Sequence, residues 1–136
     1  MNMVTKVSYT NNDNDFLIAP ELAFALSVQI GNDGVTAGSD GRKVIKAGTP
    51  LYVASGKNIL EDRDEVMTVK AKESETNNVL CGIARHTIDV TNGTVNDALL
   101  IAGYVDLYKL DSTVQTALTT AIKTSLSKIT FIKGAK

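Results

Sequence analysis

Four glycines fall within eleven residues in Gly31-Asn32-Asp33-Gly34 and Gly38-Ser39-Asp40-Gly41, and no helix passes through such a stretch. Gly, Asn and Asp tolerate positive φ, so the segment reads as two tight turns or one wide loop. It divides the 136-residue chain into an ambiguous front part and a long back part of short β-branched runs. In that back part, Arg42 to Val53 carries Val44, Ile45, Leu51 and Val53 around a Gly48-Thr49-Pro50 turn. Pro50 has no amide to donate, which puts it at the first position or the edge of a strand.

Further along, Val66 to Ala71 alternates as a strand, between the polar stretches Ala54 to Glu65 and Lys72 to Asn78. Two longer strands are predicted at Val79 to Val90 and Ala98 to Tyr108, with Gly82 and Gly103 marking bends or bulges. Asn92-Gly93 between them is the dipeptide of a tight type I′ hairpin, so the two strands are expected to pair. The spacing of Val114, Ala117, Leu118, Ala121, Ile122 and Leu126 predicts one helix over Ser112 to Leu126, capped by Ser112 with Gln115. Lys128 to Lys133 closes the chain as a short strand. In front of the glycines, Phe16 to Ile30 fits either a short helix or strands, because Pro20 interrupts its apolar run. Residues 1–15 hold four asparagines and two aspartates and are read as an extended arm, with residues 16–136 as a single domain. Val4, Val7 and Tyr9 give the arm enough β character to add a strand to a partner's sheet; a frayed terminus is the plainer reading.

The composition, 43% hydrophobic and 21% charged with a net charge of -1, suits a packed domain and not a polyelectrolyte. Binding to nucleic acid through bulk charge is therefore not expected, and neither lysine group (Arg42, Lys43, Lys46; Lys123, Lys128, Lys133, Lys136) has the interleaved aromatics that stack bases. Docking of those lysines onto an acidic protein is the functional alternative to ordinary solvated lysines. The apolar runs are too short to cross a bilayer and the N-terminus lacks a secretory pattern, so synthesis inside the cell and no membrane partner are expected.

Catalytic chemistry is hard to assemble from these residues. His86 is the only histidine, so any general base must be His86, and alternation places it on the opposite strand face from Arg85 and Thr87. Cys81, the only cysteine, reads as a small buried hydrophobe. Glu61-Asp62-Arg63-Asp64-Glu65 lacks the alternating oxygens and central glycine of a calcium loop. No enzyme activity, cofactor or metal is expected.

Four segments stand in this order along the chain: Lys46-Ala47-Gly48-Thr49-Pro50-Leu51, Gly82-Ile83-Ala84, Ile88-Asp89-Val90-Thr91-Asn92-Gly93, and Gly103-Tyr104-Val105-Asp106-Leu107-Tyr108-Lys109-Leu110. Followed by a helix and a closing strand, this set resembles the small head decoration proteins of tailed bacteriophages, similar to those of lambda-like phages, over roughly Val44 to Ile132. The resemblance implies a mainly β domain, a small β-barrel or β-tulip with one C-terminal helix and an extended N-terminal arm. It further implies a homotrimer on the outer surface of the expanded capsid of the virion, stabilising it by contact with the major capsid protein. Val4, Lys6, Val7 and Tyr9 of the arm are the capsid-binding residues under this reading. Phe16 to Gly41 matches nothing in the family pattern. A phage head fibre, or a surface module binding a glycan or receptor, is the alternative; the 5% aromatic content weighs against a glycan site.

Overall fold

The computed structural model of the chain describes residues 16–73 and 76–133. Its strands are β1 (Leu17–Ile18), β2 (Phe24–Ile30), β3 (Val44–Ile45), β4 (Pro50–Val53), β5 (Val66–Met67), β6 (Lys72–Glu73), β7 (Thr76–Asn77), β8 (Val79–Ala84), β9 (Ile88–Asp89), β10 (Val95–Asp106) and β11 (Ile129–Ile132). Two short helices, α1 (Ser112–Ala117) and α2 (Thr120–Ser125), precede β11. The fold is mainly β, as the runs of β-branched residues predict.

A seven-stranded mixed sheet is built around β10. It runs β4-β8-β10-β2-β5, with β1 and β11 also paired to β10, while β3–β9 and β6–β7 form separate two-stranded ribbons. Phe16 to Ile30 resolves as strands around a 3-10 turn at Pro20–Leu22, with β2 matched residue for residue to β10 from Val95↔Ile30 to Leu100↔Ala25. The predicted pairing of the two long strands is present at Leu99↔Ala84 and Leu100↔Ile83. Pro50 opens β4, where its missing amide costs no ladder bond.

A bulge between Leu100 and Ala102 sets the layering of the whole domain. Leu99 and Leu100 are both fully buried, on opposite faces of β10. Leu99 joins a first core with Val28, Ile30, Leu51, Val53, Met67 and Val90. Leu100 joins a second core with Phe16, Ile83, Val105, Ile129 and the helix residues Val114, Leu118 and Leu126.

Several sequence expectations are corrected. The sheet does not close into the expected barrel among the described residues. Its end strands β4 and β5 curl toward each other, yet they meet only through one bridge at Tyr52 and Thr68, with N to O distances of 2.8 and 3.0 Å. The single C-terminal helix is two helices. Thr119 takes an extended conformation (φ -70°, ψ 166°) and its hydroxyl accepts from the Ile122 amide at 3.3 Å, so this residue caps a new helix instead of continuing the old one. The α1 cap is Asp111 and not Ser112: the Asp111 carboxylate accepts from the Thr113 amide at 2.9 Å, while Gln115 Nε2 donates to the Leu110 carbonyl at 2.9 Å.

The strand expected over Val79 to Val90 stops at Ala84, because the next residues leave β10 to reach β3, where Ile88 pairs with Ile45. At Asn92-Gly93 the Gly93 amide donates to the Val90 carbonyl at 3.1 Å, and Asn92 keeps negative φ. The glycine therefore ends an ordinary turn at its fourth position, and the type I′ hairpin is not formed. Gly34 and Gly41, at φ 85° and 80°, do supply the left-handed positions of two turns within one loop.

Candidate functional site

Val4, Lys6, Val7 and Tyr9 lie outside the described residues, which begin at Phe16. That first residue is firmly held. Phe16 is 1% exposed within the second core, the Arg85 guanidinium stands 5.5 Å from its ring centroid, and its carbonyl accepts from the Asp106 amide at 2.8 Å. Two residues on, β1 lies on β10 in the register Ile18↔Tyr104, and on the other side of β10 Tyr104 is opposite Thr130 of β11.

This part of the sheet has two unlike faces. Val105, Leu17, Phe131 and Ile129 turn toward the helices and the second core. On the reverse are Ile18, Tyr104, Asp106, Thr130 and Ile132, with Phe24 flanking them opposite Ala102. Tyr104 is 39% exposed and Phe24 50%, and Ile18 and Ile132 are likewise exposed. The side therefore mixes exposed apolar residues with Thr130 and Asp106, as a strand face open to water does. Lys128 and Lys133, exposed, stand at the two ends of β11. Phe131 packs against the second core, whereas Tyr104 and Tyr108 are exposed.

The chemically reactive candidates are placed differently from expectation. His86 sits in the bend after β8 and not within a strand. Its Nδ1 is 2.7 Å from Asp97 Oδ1, which also accepts from the Ala98 amide at 2.7 Å. An ionised carboxylate can only accept, so Nδ1 is the donor in this contact. Among the described residues, no serine, threonine or cysteine is hydrogen-bonded to His86. Cys81 is a half-buried free thiol, and desolvation pushes its pKa up, away from the reactive thiolate. Among the described residues no three carboxylate, imidazole or thiol groups come together to hold a metal. In the acidic loop, Asp62 instead accepts from the Asn58 amide at 2.8 Å, and Arg63 donates to the Ser27 carbonyl at 2.7 Å.

Two of the first basic group are engaged internally. Arg42 Nη2 is 2.6 Å from Asp89 Oδ2, tying the loop to β9, and Lys46 Nζ is 3.1 Å from Asp111 Oδ2, tying β3 to the α1 cap. A cleft of about 320 Å³ beside Lys46, walled by Val35, Val44, Val69, Val114 and Ala117, is apolar and has the size of one or two side chains. Hydrogen bonds from Thr91 and then Arg42 hold the Asp89 carboxyl well below the usual carboxylate range. Those from Thr113 and then Lys46 lower Asp111 to about 2. Because both folded-state values are depressed, their contribution to stability is complete above about pH 4 and is lost as pH falls toward 2. Melting curves should therefore show a decline over that window that is shallower in Asp111→Asn; an unchanged acid limb would contradict the assignment.

A scan against protein families, a search of curated proteins and a search of solved structures each find no match to this chain, so the likeness to head decoration proteins rests on the four segments quoted above.

Proposed function

We propose that the chain is a decoration protein of a tailed-bacteriophage head, binding the outer surface of the expanded capsid and stabilising it. The observation that supports this reading is that three of the four family-like segments, spread over 65 positions from Lys46 to Leu110, meet in one junction, and the remaining one, from Ile88, starts directly beside it. Leu51 pairs with Gly82 and Pro50 with Ile83. The Gly48 amide donates to the Ala84 carbonyl at 2.7 Å, and the Ala84 amide donates to the Thr49 carbonyl at 2.9 Å. Thr87 Oγ1, just before Ile88, accepts from the Ala47 amide at 3.1 Å. A Cβ at Gly48 (φ 92°) would come within 2.6 Å of Leu110 Cδ2, so the glycine lets the turn lie directly under the end of the last segment. Residues that share one packing unit constrain one another, as an ordered set of motifs requires.

Under this reading the junction is scaffold and the contacts lie elsewhere, in the arm residues Val4, Lys6, Val7 and Tyr9 and in the surface beside Phe16. The β-tulip likeness and the homotrimer belong to the same proposal. Three arms on one trimer make the second and third contacts intramolecular, so avidity can exceed single-arm affinity by roughly a hundredfold or more. The test is co-sedimentation with expanded capsids that lack the protein, taken from the phage whose genome encodes it. Saturable binding is expected, weakened at least about tenfold when residues 1–15 are deleted. Failure of the full chain to sediment with the capsids overturns the proposal; equal binding of the truncated chain removes the arm from it.

A further inference from the structure

We infer that this chain associates with copies of itself head to tail, the exposed corner of Leu22 and Phe24 on one copy seating in the apolar cleft between β3 and α1 of the next. The inference does not rest on the decoration reading, and it gives the homotrimer of that reading a contact surface.

The corner is a preorganised apolar knob. Leu22 is 62% exposed and Phe24 50%, while Ala23 between them is extended (φ -88°, ψ 146°) and packs against the second core. Alternation therefore turns Leu22 and Phe24 outward together. Pro20 opens the turn beneath them, the Leu22 amide donates to the Ala19 carbonyl at 3.0 Å, and the Ala23 amide donates to the Pro20 carbonyl at 3.1 Å. Docking then orders side chains and little backbone. Leu60, at 55% exposed, has no such companion, since Ile59 is buried and Glu61 follows. A leucine exposed singly is ordinary; two large apolar side chains presented together are an anchor.

The cleft complements the knob in shape and in charge. Val35, Val44, Val69, Val114 and Ala117 wall about 320 Å³, room for one or two side chains. None of the knob residues lines it, and the knob is exposed, so the two do not meet within one copy. Glu21, exposed beside Leu22, has no ion pair among the described residues. Lys46 on the cleft wall is 49% exposed and gives one of its N–H groups to Asp111 at 3.1 Å, which leaves others for the Glu21 carboxylate of a seated copy. A patch on one part of the surface that fits a hollow on another makes a heterologous contact, which closes into a ring when the rotation per step allows.

The experiment follows the mass of the full chain by light scattering and sedimentation velocity over a concentration series, with circular dichroism on every variant. Wild type is expected to associate reversibly, and Leu22→Ser on the knob and Ala117→Glu at the cleft each to weaken association at least about tenfold. Glu21→Gln should weaken it less and flatten its salt dependence. Leu60→Ser removes a comparable apolar group elsewhere and should change nothing. Mixing Leu22→Ser with Ala117→Glu keeps one intact cleft and one intact knob, so a heterodimer of the two should form at the top of the series. Should Ala117→Glu lose its fold, Val44→Glu on the exposed part of the wall takes its place. Wild type that stays monomeric throughout overturns the inference, and so do folded knob and cleft variants that associate within about twofold of wild type. A mixture that forms no heterodimer, or a loss in Leu60→Ser equal to that in Leu22→Ser, overturns it too. Co-sedimentation with capsids judges the decoration reading separately.

Discussion

Gly82→Ala is expected to destabilise the domain by about 3 kcal/mol, a fall in melting temperature of roughly 10 °C for a chain of this size. Gly82 has ordinary backbone angles, so the reason is space and not conformational freedom. A Cβ at this position would collide with the backbone carbonyl oxygen of Leu100 and would lie 3.1 Å from Leu99 Cγ. A flexible side chain could swing away, but a carbonyl in the central strand cannot move without disturbing β10. That strand carries the pairings with β1, β2, β8 and β11 together. The collision also falls where β8 passes between β10 and β4, next to the register shift between Leu51 and Tyr52. Thermal melting followed by circular dichroism checks this; a loss of only two or three degrees would mean that β8 can slide outward at little cost.

Leu100→Ala should cost about 3 kcal/mol, within the usual range of 2–5 kcal/mol for a buried leucine. Leu99→Ala should cost a similar amount for a separate reason. Leu99 is surrounded by Val28, Leu51, Val53 and Met67 inside the curled sheet. Leu100 supports Val114, Leu118 and Leu126 beneath the helices. The two variants are therefore expected to differ in what loosens first. Hydrogen exchange should rise in α1 and α2 for Leu100→Ala, and in β4 and β5 for Leu99→Ala. Equal exchange throughout in both variants would show that the two cores act as one.

Much of this fold is legible in the sequence where local chemistry decides. The left-handed turns at Gly34 and Gly41, the strand start at Pro50 and the apolar spacing Val114, Leu118 and Leu126 all follow from residue type and period. The failures occur where a distant partner decides. β2 contains Phe24, Ala25, Leu26 and Ser27, which prefer no one state strongly; seven paired residues of β10 make it a strand. The long strand expected over Val79 to Val90 ends early because β3 competes for Ile88 and Asp89.

The outward turn of Tyr104 is illegible for a third reason. Simple alternation from buried Leu100 places Tyr104 on the same, inward side. The bulge between Leu100 and Ala102 shifts that parity by one, so Gly103 and Val105 turn inward while Tyr104 turns out. Gly103 hints at an irregularity there, but a glycine alone does not say on which residue the extra step falls. Asp111 was overlooked as a cap because Ser112 and Gln115 offer an equally good capping spacing one residue later.

Calorimetry of the capsid itself tests the central claim most directly. Expanded capsids without the protein are heated alone and again with the full chain at saturating concentration. A ligand bound to the native shell at about 100 times its dissociation constant adds about 2.7 kcal/mol per site. The shell's melting transition should therefore move upward by several degrees, and the shift should grow with protein concentration until the sites are filled. A transition that stays in place at every concentration, with capsid and protein both intact, would contradict the account.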